Sequence, residues 1–191
     1  MIKIEKEKTS RVFETLEKYF LLTMLLSFLG WAFEVCFVYI KAGRIKDAGF
    51  MTLPFCPIYG CSLLAIYFLG GTPDKGRGML ADIENKALRW ASYALLAFFI
   101  PTLAEFLVGL FFDKLFCLRL WNYKGQPFNV NGYVSLYVSL GWSALIFFVM
   151  KYIFPFLKKR IFAMPKKTAR KIAIPLFVIS VMDIAFNAFR L

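Results

Sequence analysis

Histidine is absent from the 191 residues of this chain, and with it go imidazole metal sites, Ser/His triads and imidazole proton relays. Any acid–base work falls to carboxylates, thiols, lysine or tyrosine. Charge is also scarce. Only 19% of residues are charged, 60% are hydrophobic and 19% are aromatic, with a mean hydropathy of +0.62. That balance excludes a disordered chain and an ordinary soluble domain. No two of the four cysteines stand in Cys-x-x-Cys spacing, Cys56 and Cys61 being the nearest pair, so neither a metal site nor a cofactor is expected. A Gly-x-x-x-x-Gly-Lys-Ser/Thr loop is missing, so the chain does not hydrolyse nucleotide by that machinery. Nor is there a basic face interleaved with stacking aromatics, which sets nucleic acid aside as a partner.

What is present is long apolar helix. A bilayer core needs about 20 such residues, and five candidate segments meet or approach that length: Tyr19 to Ile40, Phe50 to Leu69, Leu88 to Phe112, Tyr133 to Phe154 and Ile172 to Phe189. The fold class is therefore an all-α integral membrane protein of about five transmembrane helices. Residues 1–18 form a cytoplasmic N-terminal segment and residues 19–191 a single transmembrane domain. The second segment differs from the rest because Pro54 and Pro57 lie inside it, so its helix is expected to start only at about Pro57. Residues Gly49 to Cys56 then enter the membrane as non-helical, re-entrant chain, which is tolerable only where other helices or a water-filled cavity satisfy its backbone. The first apolar run is long enough to span and lacks a small-residue cleavage site, so it is expected to remain as an anchor.

The 24 Lys and Arg against 12 Asp and Glu leave a net charge of +12, and their placement sets orientation rather than a soluble basic surface. Lys3, Lys6, Lys8, Arg11, Lys18, Lys75, Arg77, Lys86, Arg89 and the basic run from Lys151 to Lys171 fall on one side. Lys41, Arg44, Lys46, Lys114, Arg119, Lys124 and Arg190 fall on the other. The bias predicts a cytoplasmic N-terminus and an external C-terminus. Membrane lipids are the expected partners of the basic loop before the fifth helix, with docking of an acidic protein as the alternative.

An acid inside a spanning helix costs about 3 kcal/mol or more to insert and normally faces the bundle interior. Glu34, Glu105 and Asp183 are such acids. They lie about 22, 25 and 16 Å along their respective helices from Tyr19, Leu88 and Ile172, all towards the external leaflet. Glu34 and Glu105 are candidates to bind a ligand, a cation or a proton. Asp183 has in addition Asn187 or an interfacial lysine within reach. Two carboxylates in one apolar site repel when both are ionised, so a cation or proton is expected with them. Beside them, Pro54, Phe55, Cys56 and Tyr59 belong to a stiff, shaped loop that could wall a pocket or simply pack a hairpin connection. Trp121, Tyr123 and Asn129 belong to an Asn-rich stretch at the external mouth. The two halves also echo one another: Glu34, Pro54-Phe55 and Gly60 recur at similar intervals as Glu105, Pro127-Phe128 and Gly132. A parallel repeat would give that pattern, although Leu29-Gly30-Trp31 and Leu140-Gly141-Trp142 fall in non-equivalent helices.

Taken in order, Gly30-x-x-x-Glu34, then Leu53-Pro54-Phe55-Cys56-Pro57-Ile58-Tyr59-Gly60, then Glu105-x-x-x-Gly109, then Trp121-x-Tyr123 with Pro127-x-Asn129-x-x-Gly132 resembles the bacterial ABC-transporter type IV permease family over roughly residues 18 to 190. Asn122 stands where members of that family more often have Asp, so no charge is expected there. The resemblance implies a multi-pass protein of the bacterial plasma membrane. It further implies a permease-like or substrate-binding transport subunit, with a small-molecule or cation substrate and a separate ATPase chain. Two rival readings of the same residues are an integral-membrane enzyme acting on a lipid or amphiphile, with one Glu as base and the other as acid, and a scaffold or regulatory subunit. The missing histidine weighs against the enzyme, so no catalytic residue is assigned.

Overall fold

The computed structural model describes residues 2–43 and 50–190. Gly49, Arg44 and Lys46 lie outside the described residues, as do the side chains of Lys3, Lys6 and Lys41. Five helices make up nearly all of the fold: α1 (Ile2–Ala42), α2 (Pro57–Gly70), α3 (Lys86–Phe116), α4 (Leu136–Phe162) and α5 (Lys166–Phe189). The only described strands are β1 (Asn129–Val130) and β2 (Val134–Ser135), an antiparallel pair. Four helices, α1, α3, α4 and α5, are long and apolar enough to cross a membrane. The 14 residues of α2 reach only about 21 Å, less than a hydrocarbon core of about 30 Å. The chain divides into two compact units, residues 1–57 with 156–191 and residues 58–155.

In the first unit α1 packs on α5. Ala169, Ala173 and Ser180 form the buried line of α5, and these small residues admit the Leu22 and Leu26 face of α1, which is fully buried. Phe20 meets Phe177 edge-on at 5.7 Å. The expected N-terminal tail is helical and continuous with the first span. It is supported by Glu7–Arg11 and Glu14–Lys18 pairs at i,i+4 spacing. A collar of polar contacts binds it to the turn between α4 and α5. The Lys18 ammonium donates to Glu14 at 2.7 Å and to the Phe162 carbonyl at 3.1 Å, answering an orphan group at the end of α4. Arg170 pairs with Glu17 at 2.7 Å, and Lys166 bonds Ser10.

The second unit is organised by a seam between α3 and α4. Along α3 the buried positions are Tyr93, Ala97, Pro101, Glu105 and Gly109, one every fourth residue, which is a single helix face. The matching line opens with Ser135 at the end of β2 and continues on α4 with Ser139 and Ser143, and the Ser143 hydroxyl donates to the Ala94 carbonyl at 3.1 Å. Small residues on both sides let the helices approach closely. Lower in the same helix, Val149–Ile153 form a π turn in which the Phe154 N–H reaches Val149 O. The extra residue absorbs Pro155, which has no N–H to offer Lys151, and the helix continues to Phe162 rather than ending at Phe154 as the apolar run alone predicts.

The connection from α2 to α3 is equally built. Gly71 and Gly76 pair as an isolated bridge, and a 3-10 turn covers Gly78–Leu80. At Gly78, φ is +54° and a Cβ would stand 2.6 Å from the Leu69 carbonyl oxygen, so only glycine fits. Arg89 gathers the loop by donating to the carbonyls of Pro73 at 3.2 Å, Ile83 at 3.0 Å and Asp74 at 3.3 Å. Tyr93 adds a bond from its hydroxyl to Gly71 O at 3.2 Å.

Candidate functional site

The proline segment lies against α1 and α5, and an account of its backbone explains how. Thr52 and Leu53 donate their N–H groups to one oxygen of Asp183, at 3.0 and 3.3 Å. Phe55 N–H closes a tight turn onto Leu53 O at 2.7 Å, and Cys56 N–H reaches the Ser27 carbonyl at 3.2 Å. Pro54 and Pro57 have no N–H. Every backbone donor from Thr52 to Pro57 is therefore answered, which is the condition for non-helical chain at membrane depth. Ser27 is 15 residues before the end of α1, about 22 Å along it, so the segment meets that helix well short of its end before α2 begins. α2 starts at Pro57, as the two prolines predict.

Asp183 is thus a fastener for this segment. Asn187, one turn further along α5, donates to Asp183 O at 2.9 Å and to Thr52 Oγ1 at 3.0 Å, so the acid, the amide and the loop form one network. Phe55 meets Phe28 at 6.3 Å, and Cys56 is buried. Glu34 stands seven residues beyond Ser27 on α1, half-buried. Of the residues singled out in the loop, Pro54, Phe55 and Cys56 join Asp183 in the first unit. Tyr59 belongs to the second, where it packs on Trp142 at 4.9 Å.

In the second unit, Glu105 is 8% exposed on the α3 seam, one turn below Gly109. Gly109 takes no side chain because Trp121 and Tyr133 occupy the space: a Cβ would lie 3.2 Å from the Tyr133 ring and 3.4 Å from that of Trp121. The two aromatics are tied to each other, Trp121 Nε1 donating to Tyr133 O at 2.8 Å. The Tyr133 hydroxyl donates to Asp113 at 2.6 Å, and Arg119 donates to the same oxygen at 3.1 Å. The hydrogen bond to the Asp113 carboxylate raises the pKa of both Tyr133 and Arg119, so the phenol stays neutral and the guanidinium charged. Asn129 braces the loop, donating to Gln126 O at 2.8 Å and accepting from Gly132 N at 3.0 Å. Tyr123 is pinned through its own N–H to Gly132 O at 2.9 Å. Asp113, Arg119 and Tyr133 were not among the expected site residues. The signal for Asp113 was its spacing, since Glu105, Gly109 and Asp113 continue one face at i,i+4.

Filling Gly109 tests this plug. Gly109→Leu is expected to push Trp121 and Tyr133 off α3, destabilising the protein by about 1–3 kcal/mol through overpacking. Tryptophan emission should shift to the red and thermal unfolding should begin earlier. An unchanged spectrum together with an unchanged transition would show that the aromatics do not fill this space.

Among the described residues no group of three or more Cys, Asp or Glu side chains converges to hold a metal ion. Four long apolar helices, almost no sheet and an acid buried on a helix seam together define an all-helical, multi-pass membrane protein. More specifically, the chain belongs to the family described as Putative ABC-transporter type IV, whose profile matches residues 21–188. Family and helices together give it a transport-related role in a membrane. No curated protein and no solved structure matches the chain.

Proposed function

We propose that the protein is a permease-like, substrate-binding membrane subunit of a transporter, and that Glu105 is the acid on which it binds a cation, a proton or a cationic group. The observation that carries this reading is the burial of the Glu105 carboxyl, at 8% exposure, inside an apolar helix of 31 residues and nearer its C-terminal end. Retaining such a group against an insertion cost of about 3 kcal/mol is the usual mark of a transport pathway. Glu34 serves as a second acid on α1. Pro54, Phe55 and Cys56, fastened by Asp183, shape the loop beside α1, while Tyr59, Trp121, Tyr123 and Asn129 line the second unit. The chain sits in a bacterial plasma membrane with its N-terminus cytoplasmic and its C-terminus external, and works with an ATPase supplied as a separate chain.

Native mass spectrometry of the gently solubilised protein from its own membrane tests the partner: a stoichiometric ATPase subunit is expected. A chain that emerges without any ATPase subunit would instead favour an enzyme or scaffold role. The acid is tested by comparing small molecules accumulated or expelled by cells carrying wild type or Glu105→Gln at equal membrane levels. The variant should keep its partner and lose transport by about tenfold or more, the scale of one charged hydrogen bond. Wild-type transport in Glu105→Gln would remove Glu105 from the site.

A further inference from the structure

A second cluster, away from the buried acids, gathers positive charge around one indole. Lys86 is the first residue of α3, and its ammonium lies 4.9 Å from the centre of the Trp90 ring. Lys151, presented by the π turn of α4, lies 4.1 Å from the same centre and 5.2 Å from that of Tyr152. Both ammonium groups thus stand against one indole, no farther apart than about 9 Å. Neither forms an ion pair among the described residues, and Asp82 and Glu84, the nearest acids in sequence, join neither of them. The Trp90 N–H is covered and meets no acceptor.

The local fields make this placement unfavourable in isolation. Lys86 and Arg89 occupy the first turn of α3, where the helix dipole is positive and acids are the favoured residues. Arg89 is answered by three carbonyls, whereas Lys86 and Lys151 have only aromatic faces. The two lysines share a single deficiency, a negatively charged oxygen. Around them Leu88, Phe148 and Tyr152 are exposed, and Trp with Lys at the end of an apolar helix marks the headgroup level of a bilayer.

We infer that Lys86 and Lys151, on the Trp90 platform, bind the phosphate of an anionic lipid headgroup whose acyl chains lie along the exposed apolar faces of α3 and α4. The lysines bridge the phosphate oxygens, and the π turn sets the site by bringing Lys151 round to the Trp90 side of α4. A zwitterionic lipid binds less well because its ammonium opposes the two lysines.

The full-length protein in detergent, mixed with equal amounts of phosphatidylglycerol and phosphatidylcholine of the same chains, is examined by native mass spectrometry. Wild type is expected to retain one phosphatidylglycerol in preference by about tenfold, as two lysines at a headgroup predict. The double variant Lys86→Gln/Lys151→Gln should lose that preference, while Lys86→Arg/Lys151→Arg keeps it. A control, Lys158→Gln/Lys159→Gln, removes the same charge elsewhere and should leave it unchanged. Inorganic phosphate is then added without lipid. Retention of phosphate by wild type but not the Gln variant, with no lipid preference, would overturn the lipid as the source. Equal lipid preference in wild type and a folded Gln variant would overturn the site; if the double Gln variant does not fold, Lys151→Gln alone decides, a reduced preference supporting the site and an unchanged one overturning it.

Discussion

Replacing Asp183 with Ala is expected to free the proline segment from α5 and to lower stability by about 1–3 kcal/mol, since two backbone N–H groups lose a charged acceptor. Asp183→Asn keeps an oxygen in place but removes the charge, so roughly half of that loss is expected. The readout lies nearby. Cys56 is buried in the segment, while Cys36, Cys61 and Cys117 are exposed; with those three replaced by Ser, a maleimide reports on Cys56 alone. Labelling should be slow in that background and faster by about tenfold or more once Asp183→Ala is added. Equal labelling rates would mean that the segment is held by its prolines and by Ser27 without the acid.

Arg89→Ala should have an effect of similar size at the other built connection. Three carbonyls lose their donor together, at about 2–4 kcal/mol for a charged fork with two of its three bonds part-buried. Lysine presents a point charge rather than a fork, so Arg89→Lys restores only part of the loss. Limited proteolysis reads the result directly, because Lys75 and Arg77 are exposed trypsin sites inside the loop that Arg89 gathers. Cleavage there should accelerate in Arg89→Ala while sites in the helices stay resistant. If the loop remained as resistant as in wild type, Tyr93 and the glycine bridge would be sufficient to hold it.

The helices were legible because a bilayer demands a minimum apolar length, and the start of α2 because a proline needs no N–H at a first helical turn. The extent of α1 and α4 was less so. Residues 2 to 18 carry no apolar run, yet i,i+4 ion pairs and the collar at Lys18 keep them helical. Pro155 reads as a terminator, yet one extra residue in the preceding turn lets the helix pass it. For the acids, sequence revealed that they lie within helices but not what they meet. Asp183 and Asn187 stand four residues apart and their contact was foreseeable, whereas Thr52 is 131 residues away. The echo between the halves does not extend to how the loops are built. Pro54-Phe55 leads straight into α2, while Pro127-Phe128 leads into a strand pair and a glycine at φ +77°.

The continuity of α1 has a mechanical meaning. Its 41 residues make a rod of about 60 Å, twice the thickness of a hydrocarbon core, and the Lys18 collar acts on it as a fulcrum. Between that point and Ile2 runs an arm of about 24 Å, held to α5 along its length at Ser10. Because no residue within Ile2–Ala42 breaks the helix, the level of Ser27, where the proline segment is attached, and the contacts at Lys18 and Ser10 belong to one unbroken element. The same helix that anchors the proline segment thus also carries the polar clasp to α5, so the two attachments share one rigid axis.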